Sequence, residues 1–495
     1  MKKNNANMNI YYLHPHRMNI LFWMYVRRFQ NSSRLRFPAV SIDSAAKLCI
    51  VLSLVAIFLG YWARSEQIDR LVENLRANRF GYIYLLTGQI FLGLTIAVFL
   101  WQLCLVFRYR PAPACADEQL PACTVIVPAY NEGSGVFDTL RSVLASDYPA
   151  DKLQIIAIDD GSVDDTWRWI EKAARESGGR IETIRFIKNR GKRTVLYEGF
   201  IRSKNEVVIT IDSDSIIEPV TLRRLVSPFA LDQRTGAVAG NVRVLNTNEG
   251  IIPNMLDVSF NYSFDFIRAG QSVINTVLCT PGALAAYRRT ALMAVVDKWM
   301  SQTFLGLPAD IGEDRALTNW ILRTGHHVKF QSDAIVYTKV PVRYDGLCRM
   351  FLRWARSNVR ETLMMGQFIF AKFRQTSSLG ARINFLVSLN NLVFPRILLL
   401  VLLLIILSEP SALLCQVLAG TSIAACVSAI FYAVRHRSSN ALWAYAYGIF
   451  WVVALSWITP YALVTARNGK WLTREIRDRK PEQPADEVFG NRAVA

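Results

Sequence analysis

The hydrophobic residues of this chain fall into two groups of long apolar runs, one near each end of the sequence. Most of these runs approach or exceed the ~20 residues with which an α-helix spans a bilayer. The runs are Lys47 to Ala63, Tyr82 to Phe107, Asn391 to Leu407, Ala412 to Val434 and Ala441 to Thr465. Between the two groups, from about Pro111 to Lys339, strand-like and helix-like patterns alternate without such a run. The pattern predicts a soluble domain between two membrane regions.

Four short segments rich in Val, Ile and Thr divide the soluble part of the chain. The first runs from Thr124 to Val127, and the others lie in "LQIIAID", "IETIRFI" and "VVITI". Such continuous apolar runs are typical of strands buried on both faces. Because helix-like segments separate them, we predict a parallel sheet with right-handed crossovers, as in Rossmann-like α/β domains.

Charged side chains follow these strands, at the sheet edge where open α/β folds bind ligands. Acidic residues follow the second and fourth strands and a basic cluster follows the third: Asp159, Asp160, Lys188, Arg190, Lys192, Arg193, Asp212 and Asp214. This order suits a nucleoside diphosphate, with a carboxylate for the base, cations for the phosphates and a carboxylate pair for a metal ion. Taken alone, Asp212 and Asp214 are equally compatible with solvated aspartates in a turn. The sequence has neither G-x-G-x-x-G after the first strand nor a Walker A lysine motif, which disfavours a dinucleotide cofactor or an ATPase.

Composition supports membrane insertion and argues against nucleic acid as a partner. The 495 residues are 52% hydrophobic, too apolar for an ordinary soluble protein. The net charge is +18, but Lys and Arg cluster beside the apolar runs, as in "YVRRF", "FRYRP" and "VRHRS". This positive-inside pattern predicts that the N-terminal tail and the soluble domain are cytoplasmic. The eight cysteines contain no C-x-x-C pair, and the first apolar run starts too late for a cleaved signal peptide.

Two further motifs follow the soluble domain's strands. In "DIGEDRALTNW", Glu313 and Asp314 precede a helix-like segment, where helix capping is the simplest alternative to a catalytic role. In "CRMFLRWARSNVRE", Arg353 and Trp354 lie in an amphipathic stretch that runs to about Phe373. Its arginines recur at near-helical spacing, so the stretch also fits a basic helix lying on the membrane surface.

The motifs "PAYNEG", "IDDGS", "DSDS", "CTPGALAAYRR", "GEDRALTNW" and "LRWARS", in this order between membrane runs, resemble the processive family 2 glycosyltransferases. That family includes the hyaluronan, chitin-oligosaccharide and cellulose synthases, and the last two motifs look closest to the first two branches. The resemblance covers about Thr124 to Arg474. It implies an α/β GT-A domain between N- and C-terminal transmembrane helices, a UDP-sugar donor, Mg²⁺ or Mn²⁺, and a polysaccharide threaded through the protein's own helices.

The resemblance assigns roles to residues at matching positions. It implies that Asp159 and Asp160 hold the uracil and that Lys192 approaches the diphosphate. Asp212 and Asp214 would form the D-x-D pair, with Asp214 the direct metal ligand, and Asp314 would be the catalytic base. The other implied residues are Tyr130 and Glu132 for the nucleotide, Glu313 as a further catalytic residue, Arg353 for the donor phosphates, Trp354, Gly282, Ala283 and Leu284 for the acceptor, and Trp471, Thr473 and Arg474 for gating.

The chain departs from the family pattern at two positions. Met350 stands where the Q-x-x-R-W pattern has Gln, which leaves a usual donor or acceptor contact open. Leu472 replaces the usual Gly of the W-G-T-R gating segment.

The predicted membrane topology conflicts with the gating role, because three C-terminal spans would leave "KWLTRE" outside the cell. We therefore predict a split or re-entrant helix, either in Ile383 to Leu407 or around Pro460.

These inferences predict a processive, inverting enzyme that polymerises a β-linked polysaccharide from UDP-GlcNAc, UDP-GlcA or UDP-Glc in the cell membrane. Two alternatives stay open: a non-processive transferase that glycosylates a lipid carrier, and a catalytically inactive scaffold. Expected partners are the donor, the growing polysaccharide and membrane lipids, with a second copy or accessory export subunits left open. The predicted regions are a cytoplasmic tail (1–46), two transmembrane helices (47–110), the GT-A domain (111–345), interface helices (346–390), transmembrane helices (391–466) and a gating segment with tail (467–495).

Overall fold

The computed structural model describes residues 42–405, 410–469 and 489–490. The predicted gating residues Trp471, Thr473 and Arg474 lie outside the described residues, as does most of the predicted N-terminal tail. The described residues form an α/β domain and a group of long apolar helices.

A nine-stranded sheet is the centre of the α/β domain, and its order is β11-β3-β2-β1-β4-β7-β6-β10-β5. Its strands are β1 (Cys123–Ala129), β2 (Leu153–Asp159), β3 (Ile181–Arg185), β4 (Val207–Thr210), β5 (Ser215–Ile217), β6 (Thr235–Val244), β7 (Ala285–Arg288), β10 (His327–Thr338) and β11 (Phe489–Gly490), while β8 (Thr303–Phe304) and β9 (Leu307–Pro308) form a separate hairpin. All of β1 and β4 is buried, which explains their continuous β-branched sequences.

The predicted parallel arrangement is confirmed for four neighbouring strands, and β6 and β10 also run parallel to each other. Strands β3, β2, β1 and β4 are parallel, with Ile126 opposite Ile156 and Thr210. Beyond β4, however, β7 runs antiparallel to both β4 and β6, so the sheet as a whole is mixed. The sequence of β7, "AAYR", carries little strand propensity. Close packing beside this strand explains Gly240 of β6, because a Cβ there would overlap the Leu284 side chain.

Helices join these strands and form the apolar segments on either side of the α/β domain in the sequence. They are α1 (Ile42–Ala63), α2 (Ser65–Ala77), α3 (Arg79–Arg108), α4 (Gly135–Leu144), α5 (Thr166–Glu176), α6 (Lys192–Arg202), α7 (Thr221–Leu231), α8 (Ile251–Asn261), α9 (Ala269–Val273), α10 (Arg289–Met293), α11 (Val296–Met300), α12 (Glu313–Arg323), α13 (Tyr344–Gly366), α14 (Leu379–Ile405), α15 (Pro410–His436), α16 (Trp443–Phe450) and α17 (Ile458–Thr465). A π-helical segment, Tyr262–Arg268, connects α8 to α9, and another, Trp451–Leu455, follows α16.

Three helices are long and apolar enough to cross a membrane within the described residues, namely α1, α3 and α15. They match three of the predicted runs. The amphipathic helix α2 lies between α1 and α3 and was not predicted. Ile68 and Leu71 are its buried residues, while its charged residues face outward. Helix α14 covers the predicted run at Asn391 and contains Pro395.

The last apolar run is a broken pair of helices, bent by 49° between Ser439–Leu455 and Ile458–Thr465. At its start, Ser439 and Asn440 accept hydrogen bonds from Lys47 at the beginning of α1 (3.1 and 2.7 Å). At its end, Thr465 accepts a hydrogen bond from Arg356 of α13 (3.0 Å). Trp443 also packs with Met255 of α8. Both ends of the pair therefore contact the α/β domain or the end of α1 next to it.

Helix α13 differs from the predicted surface helix. It ends at Gly366 rather than near Phe373, and much of its length is buried in protein. Arg356 and Arg360 are 3% and 1% exposed, so they cannot contact lipid head groups. Arg349 is the arginine that keeps to the predicted pattern, since it is half exposed and pairs with Asp345 at 2.7 Å.

Candidate active site

A cavity of about 310 Å³ opens at the C-terminal ends of β1 and β4. This is the edge at which parallel strands present their ligand-binding loops. Six of the predicted site residues line it: Tyr130, Asp160, Lys192, Asp212, Asp214 and Arg353. Met350 lines it as well, so the position where the family has Gln faces the cavity with an apolar thioether. Asn189 and Lys339 also line the cavity, and sequence reasoning gave them no role.

Two adjacent aspartates at the end of β2 face different surroundings. Asp160 lines the cavity and accepts hydrogen bonds from the backbone N–H groups of Arg190 (2.7 Å) and Gly191 (2.9 Å). Asp159 is fully buried, accepts hydrogen bonds from Ser162 and lies 3.4 Å from Arg185. Burial raises the pKa of Asp159. Asp160 is therefore the one placed to meet a ligand, and Asp159 holds the turn beneath it.

Lys192 links the end of β4 to the start of α12. Its ammonium lies 2.5 Å from Asp212 and 3.2 Å from Glu313. Burial alone would lower the pKa of Lys192, but the two carboxylates outweigh burial and raise it, so the side chain is cationic. Gly282 packs against this pair, since a Cβ there would lie 2.8 Å from the Lys192 ammonium and 3.3 Å from the Asp212 carboxylate. Gly282 thus places the predicted acceptor loop beside Lys192 and Asp212, which line the cavity.

Asp214 is the second aspartate of the D-x-D pair. It accepts a hydrogen bond from the hydroxyl of Thr338, the last residue of β10 (3.3 Å). Among the described residues, no group of three or more His, Cys, Asp or Glu side chains could hold a metal ion. Mg²⁺ does not need one, because it normally binds one or two carboxylates together with substrate phosphates and water. The pair Asp212 and Asp214 therefore fits a cation that arrives with a phosphorylated ligand.

Glu313 and Asp314 open α12 without capping it. The N-cap is Gly312, at φ +71°, and no side chain caps the helix. Gly312 packs so closely on α13 that a Cβ would overlap Ser357. Asp314 accepts hydrogen bonds from the Arg315 backbone N–H (2.7 Å) and from the Cys279 thiol (3.6 Å). The capping alternative therefore does not explain this pair.

The two neighbouring carboxylates differ in proton affinity. Burial and the charge of Glu313 raise the pKa of Asp314. Burial acts in the same direction on Glu313, but Lys192 and Arg353 outweigh it and lower the pKa of that carboxyl. Neighbouring groups whose pKa values are driven apart are typical of acid-base sites. Asp314 is the better proton acceptor of the two.

A buried ionic network fixes the loop that carries this pair. Arg360 of α13 donates a hydrogen bond to the Ile311 carbonyl and lies 3.3 Å from Glu361, with both side chains 1% exposed. Glu361 also accepts hydrogen bonds from Gln302 (2.9 Å) and from Asn319 of α12 (3.0 Å). The network joins α12, α13 and the preceding loop in one rigid unit.

We expect Glu361→Gln to destabilise the protein, because it leaves the Arg360 charge buried without its counterion. Breaking a buried ion pair from one side typically costs about 3–5 kcal/mol. The measurement is the thermal unfolding midpoint of the detergent-solubilised chain. Glu171→Gln is the control, since Glu171 is 41% exposed and lies 3.9 Å from Arg175. An unchanged midpoint for Glu361→Gln would contradict the assigned role.

The predicted acceptor residues separate into two groups. Trp354 is 43% exposed, and its ring lies 6.1 Å from Phe260 and 5.6 Å from Phe351. Phe351 in turn lies 5.3 Å from Trp451 in the membrane region. Leu284, by contrast, is fully buried in the sheet core. Its side chain therefore stabilises the fold, and Ala283, at 9% exposure, is nearly as enclosed. Glu132 does not line the cavity but accepts a hydrogen bond from Ser213 beside it (3.3 Å).

The mixed sheet and the cavity at its strand ends are those of the GT-A fold. Residues 121–357 match the family model "Glycosyltransferase like family 2". The chain is 30% identical over 387 residues to an N-acetylglucosaminyltransferase of Mesorhizobium japonicum, covering 77% of this chain and 89% of that protein. It is also 30% identical over 380 residues to the hyaluronan synthase of Streptococcus pyogenes, covering 75% and 87%. The chain therefore belongs to glycosyltransferase family 2, with relatives that include hyaluronan synthase.

Solved structures that match this chain include the mannosyltransferase of Pyrobaculum calidifontis in complex with GDP-Man and Mn²⁺. It is 21% identical, with a TM-score of 0.48, and the match covers 77% of this chain and 97% of that one.

Proposed function

We propose that this protein is a processive, inverting glycosyltransferase that polymerises a β-linked polysaccharide from a cytoplasmic UDP-sugar. One observation carries the proposal. Arg353 lines the donor cavity, and the next residue, Trp354, begins a row of aromatic rings that continues through Phe351 to Trp451. Aromatic faces pack well on the apolar faces of pyranose rings. The row supports a path from the donor cavity to the membrane helices.

The arrangement of side chains supports a single displacement. An acceptor hydroxyl attacks the anomeric carbon of the donor while Asp314 takes its proton, so a new glycosidic bond forms as the bond to the diphosphate breaks. Lys192 and Arg353 attract the negative charge that develops on the departing UDP. Asp212 and Asp214 would hold Mg²⁺ or Mn²⁺, which neutralises phosphate charge when bound. One displacement with one base inverts the anomeric carbon, so an α-linked donor gives a β-glycoside.

The helix positions support a cytoplasmic catalytic domain in a multi-pass membrane protein. If the bent pair Ser439–Leu455 and Ile458–Thr465 enters and leaves the membrane on one face, the C-terminus stays with the catalytic domain. The position of Gly469 supports this arrangement. Gly469 lies next to Pro308, in the segment that leads to Glu313, since a Cβ on Gly469 would be 3.2 Å from the Pro308 carbonyl oxygen. This placement agrees with a gating role for Trp471, Thr473 and Arg474, just beyond it. The region boundaries that we propose lie near residues 110, 345 and 466.

The decisive experiment is synthesis by the purified, full-length protein in lipid nanodiscs. The protein is incubated with radiolabelled UDP-GlcNAc, UDP-GlcA and UDP-Glc, singly and in pairs, with Mg²⁺ or Mn²⁺. We expect long, alkali-stable products from one sugar or one pair. A single sugar attached to a lipid would favour the non-processive alternative. UDP binding without any transfer would favour the inactive scaffold.

We expect Trp354→Ala to impair elongation more than UDP binding. Its ring face holds the acceptor end close to the donor. Pairs of aromatic rings contribute about 0.5–1.5 kcal/mol, and a contact of similar strength with the acceptor sugar corresponds to a loss of up to roughly tenfold in rate. Product length and UDP affinity are measured on the same preparation. Trp62→Ala is the control, because Trp62 is 75% exposed on α1. Equal losses of UDP affinity and elongation would contradict the acceptor role.

A further inference from the structure

The donor cavity contains a cationic residue that no recognised motif includes. Lys339 lines the cavity together with Asp214 and Arg353. It directly follows Thr338, whose hydroxyl donates a hydrogen bond to Asp214 (3.3 Å). Lys192 contacts the other aspartate of the pair at 2.5 Å. The D-x-D pair therefore has one lysine associated with each side of it, and the motif-based assignment covers only one of them.

The backbone around Lys339 is held firmly although its side chain is exposed. On one side, the Thr338 carbonyl accepts a hydrogen bond from the Leu245 N–H (2.9 Å). On the other side, Asn246 binds residue Val340 twice, accepting from its N–H (2.9 Å) and donating to its carbonyl (3.0 Å). A side chain on such a fixed base needs to order only its own rotamers when it meets a ligand, which lowers the entropic cost of binding.

Charge balance in the cavity points to what Lys339 meets. The lining contains three acidic and three basic side chains: Asp160, Asp212, Asp214, Lys192, Lys339 and Arg353. A diphosphate brings negative charge to this lining, and a divalent cation would offset it. Without Lys339 the lining becomes net negative, on the side where Asp214 lies. Charge-assisted hydrogen bonds from an ammonium to phosphate oxygens are among the stronger contacts that a protein makes.

We propose that Lys339 binds the diphosphate of the donor from the Asp214 side of the cavity, whereas Lys192 lies beside Asp212. This inference rests on the proposed function, since it assigns a further residue to the same donor site. Lys339 thus acts on the ground-state donor and on the departing UDP alike. Its removal therefore weakens UDP binding more than it lowers turnover at saturating donor.

The test compares UDP binding by calorimetry for the full-length wild type, Lys339→Ala and Lys339→Arg, with Mg²⁺ present throughout. We expect Lys339→Ala to weaken UDP binding about tenfold. Lys339→Arg should restore most of the affinity because it keeps the charge. UMP affinity should fall less, because UMP lacks the second phosphate. Arg343→Ala is the matched control, since Arg343 is 84% exposed, pairs with Asp345 and does not line the cavity.

Each outcome separates this inference from the proposed function. If wild type fails to bind UDP, the proposed function fails. If wild type binds UDP and Lys339→Ala binds it within twofold, the role of Lys339 is overturned while the function stands. Equal weakening of UDP binding by Lys339→Ala and Arg343→Ala would also overturn the role of Lys339, because it would indicate a general effect on the segment between β10 and α13. Lys339→Gln, which keeps the side-chain length without the charge, replaces the Ala variant if that variant unfolds, and the same criteria apply.

Discussion

Asp314→Asn is expected to lower sugar transfer by ~10²- to 10⁴-fold, the usual contribution of a positioned general base. The amide has nearly the shape of the carboxylate but cannot accept the acceptor's proton. The Asn side chain can still accept the hydrogen bond that the Arg315 backbone N–H donates to Asp314 (2.7 Å), so the start of α12 should keep its position. UDP affinity should therefore stay close to that of wild type. The measurement pairs a single-turnover transfer rate with UDP calorimetry on the same preparation.

The pH dependence of turnover provides a second measure of the same residue. Burial and the charge of Glu313 raise the pKa of Asp314, and the residue must be ionised to act as a base. Activity should therefore be lost on acidification at a higher pH than an ordinary aspartate, with pKa near 3.9, would give. An acid limb at the ordinary value, or a variant Asp314→Asn with near-normal synthesis, would contradict the assignment of the base.

The central parallel strands were predictable because the residues within each strand are enough to favour a buried strand. Continuous runs such as "TVIV" and "VVIT" leave few alternatives to a buried strand. The antiparallel strand β7 was not predictable in this way. Its Ala285 and Ala286 owe their position to the neighbouring strands and to the tight contact between Gly240 and Leu284. That contact is a property of the assembled sheet rather than of the segment.

The residues that line the cavity were predicted more completely than the residues that hold them in place. The resemblance pointed to Asp212, Asp214 and Asp314 because the motifs are short and keep their order. It could not decide which of Asp159 and Asp160 faces the ligand, since successive residues at a strand end point in opposite directions. The hydrogen bond from Arg360 to Ile311 and the role of Lys339 depend on segments far apart in sequence. Only the assembled fold brings them together.

The role of the D-x-D pair gives the last prediction, which concerns metal dependence. Because the described residues offer no larger cluster of metal ligands, the cation should bind weakly alone and well together with UDP. UDP binding measured by calorimetry should therefore be much weaker in EDTA than with Mn²⁺. Asp214→Asn removes one negative ligand, so it should lessen the gain in affinity that Mn²⁺ provides.

Turnover should be more sensitive to Asp214→Asn than UDP affinity is. Charge on the diphosphate grows as the glycosidic bond breaks, so a weakened cation site costs more in the transition state than in the ground state. Asp151→Asn is the control, since Asp151 lies in the short turn before β2, at the end of that strand opposite to the cavity. Metal-independent UDP binding by wild type, together with full synthesis in EDTA, would instead identify Asp212 and Asp214 as solvated aspartates that end a strand.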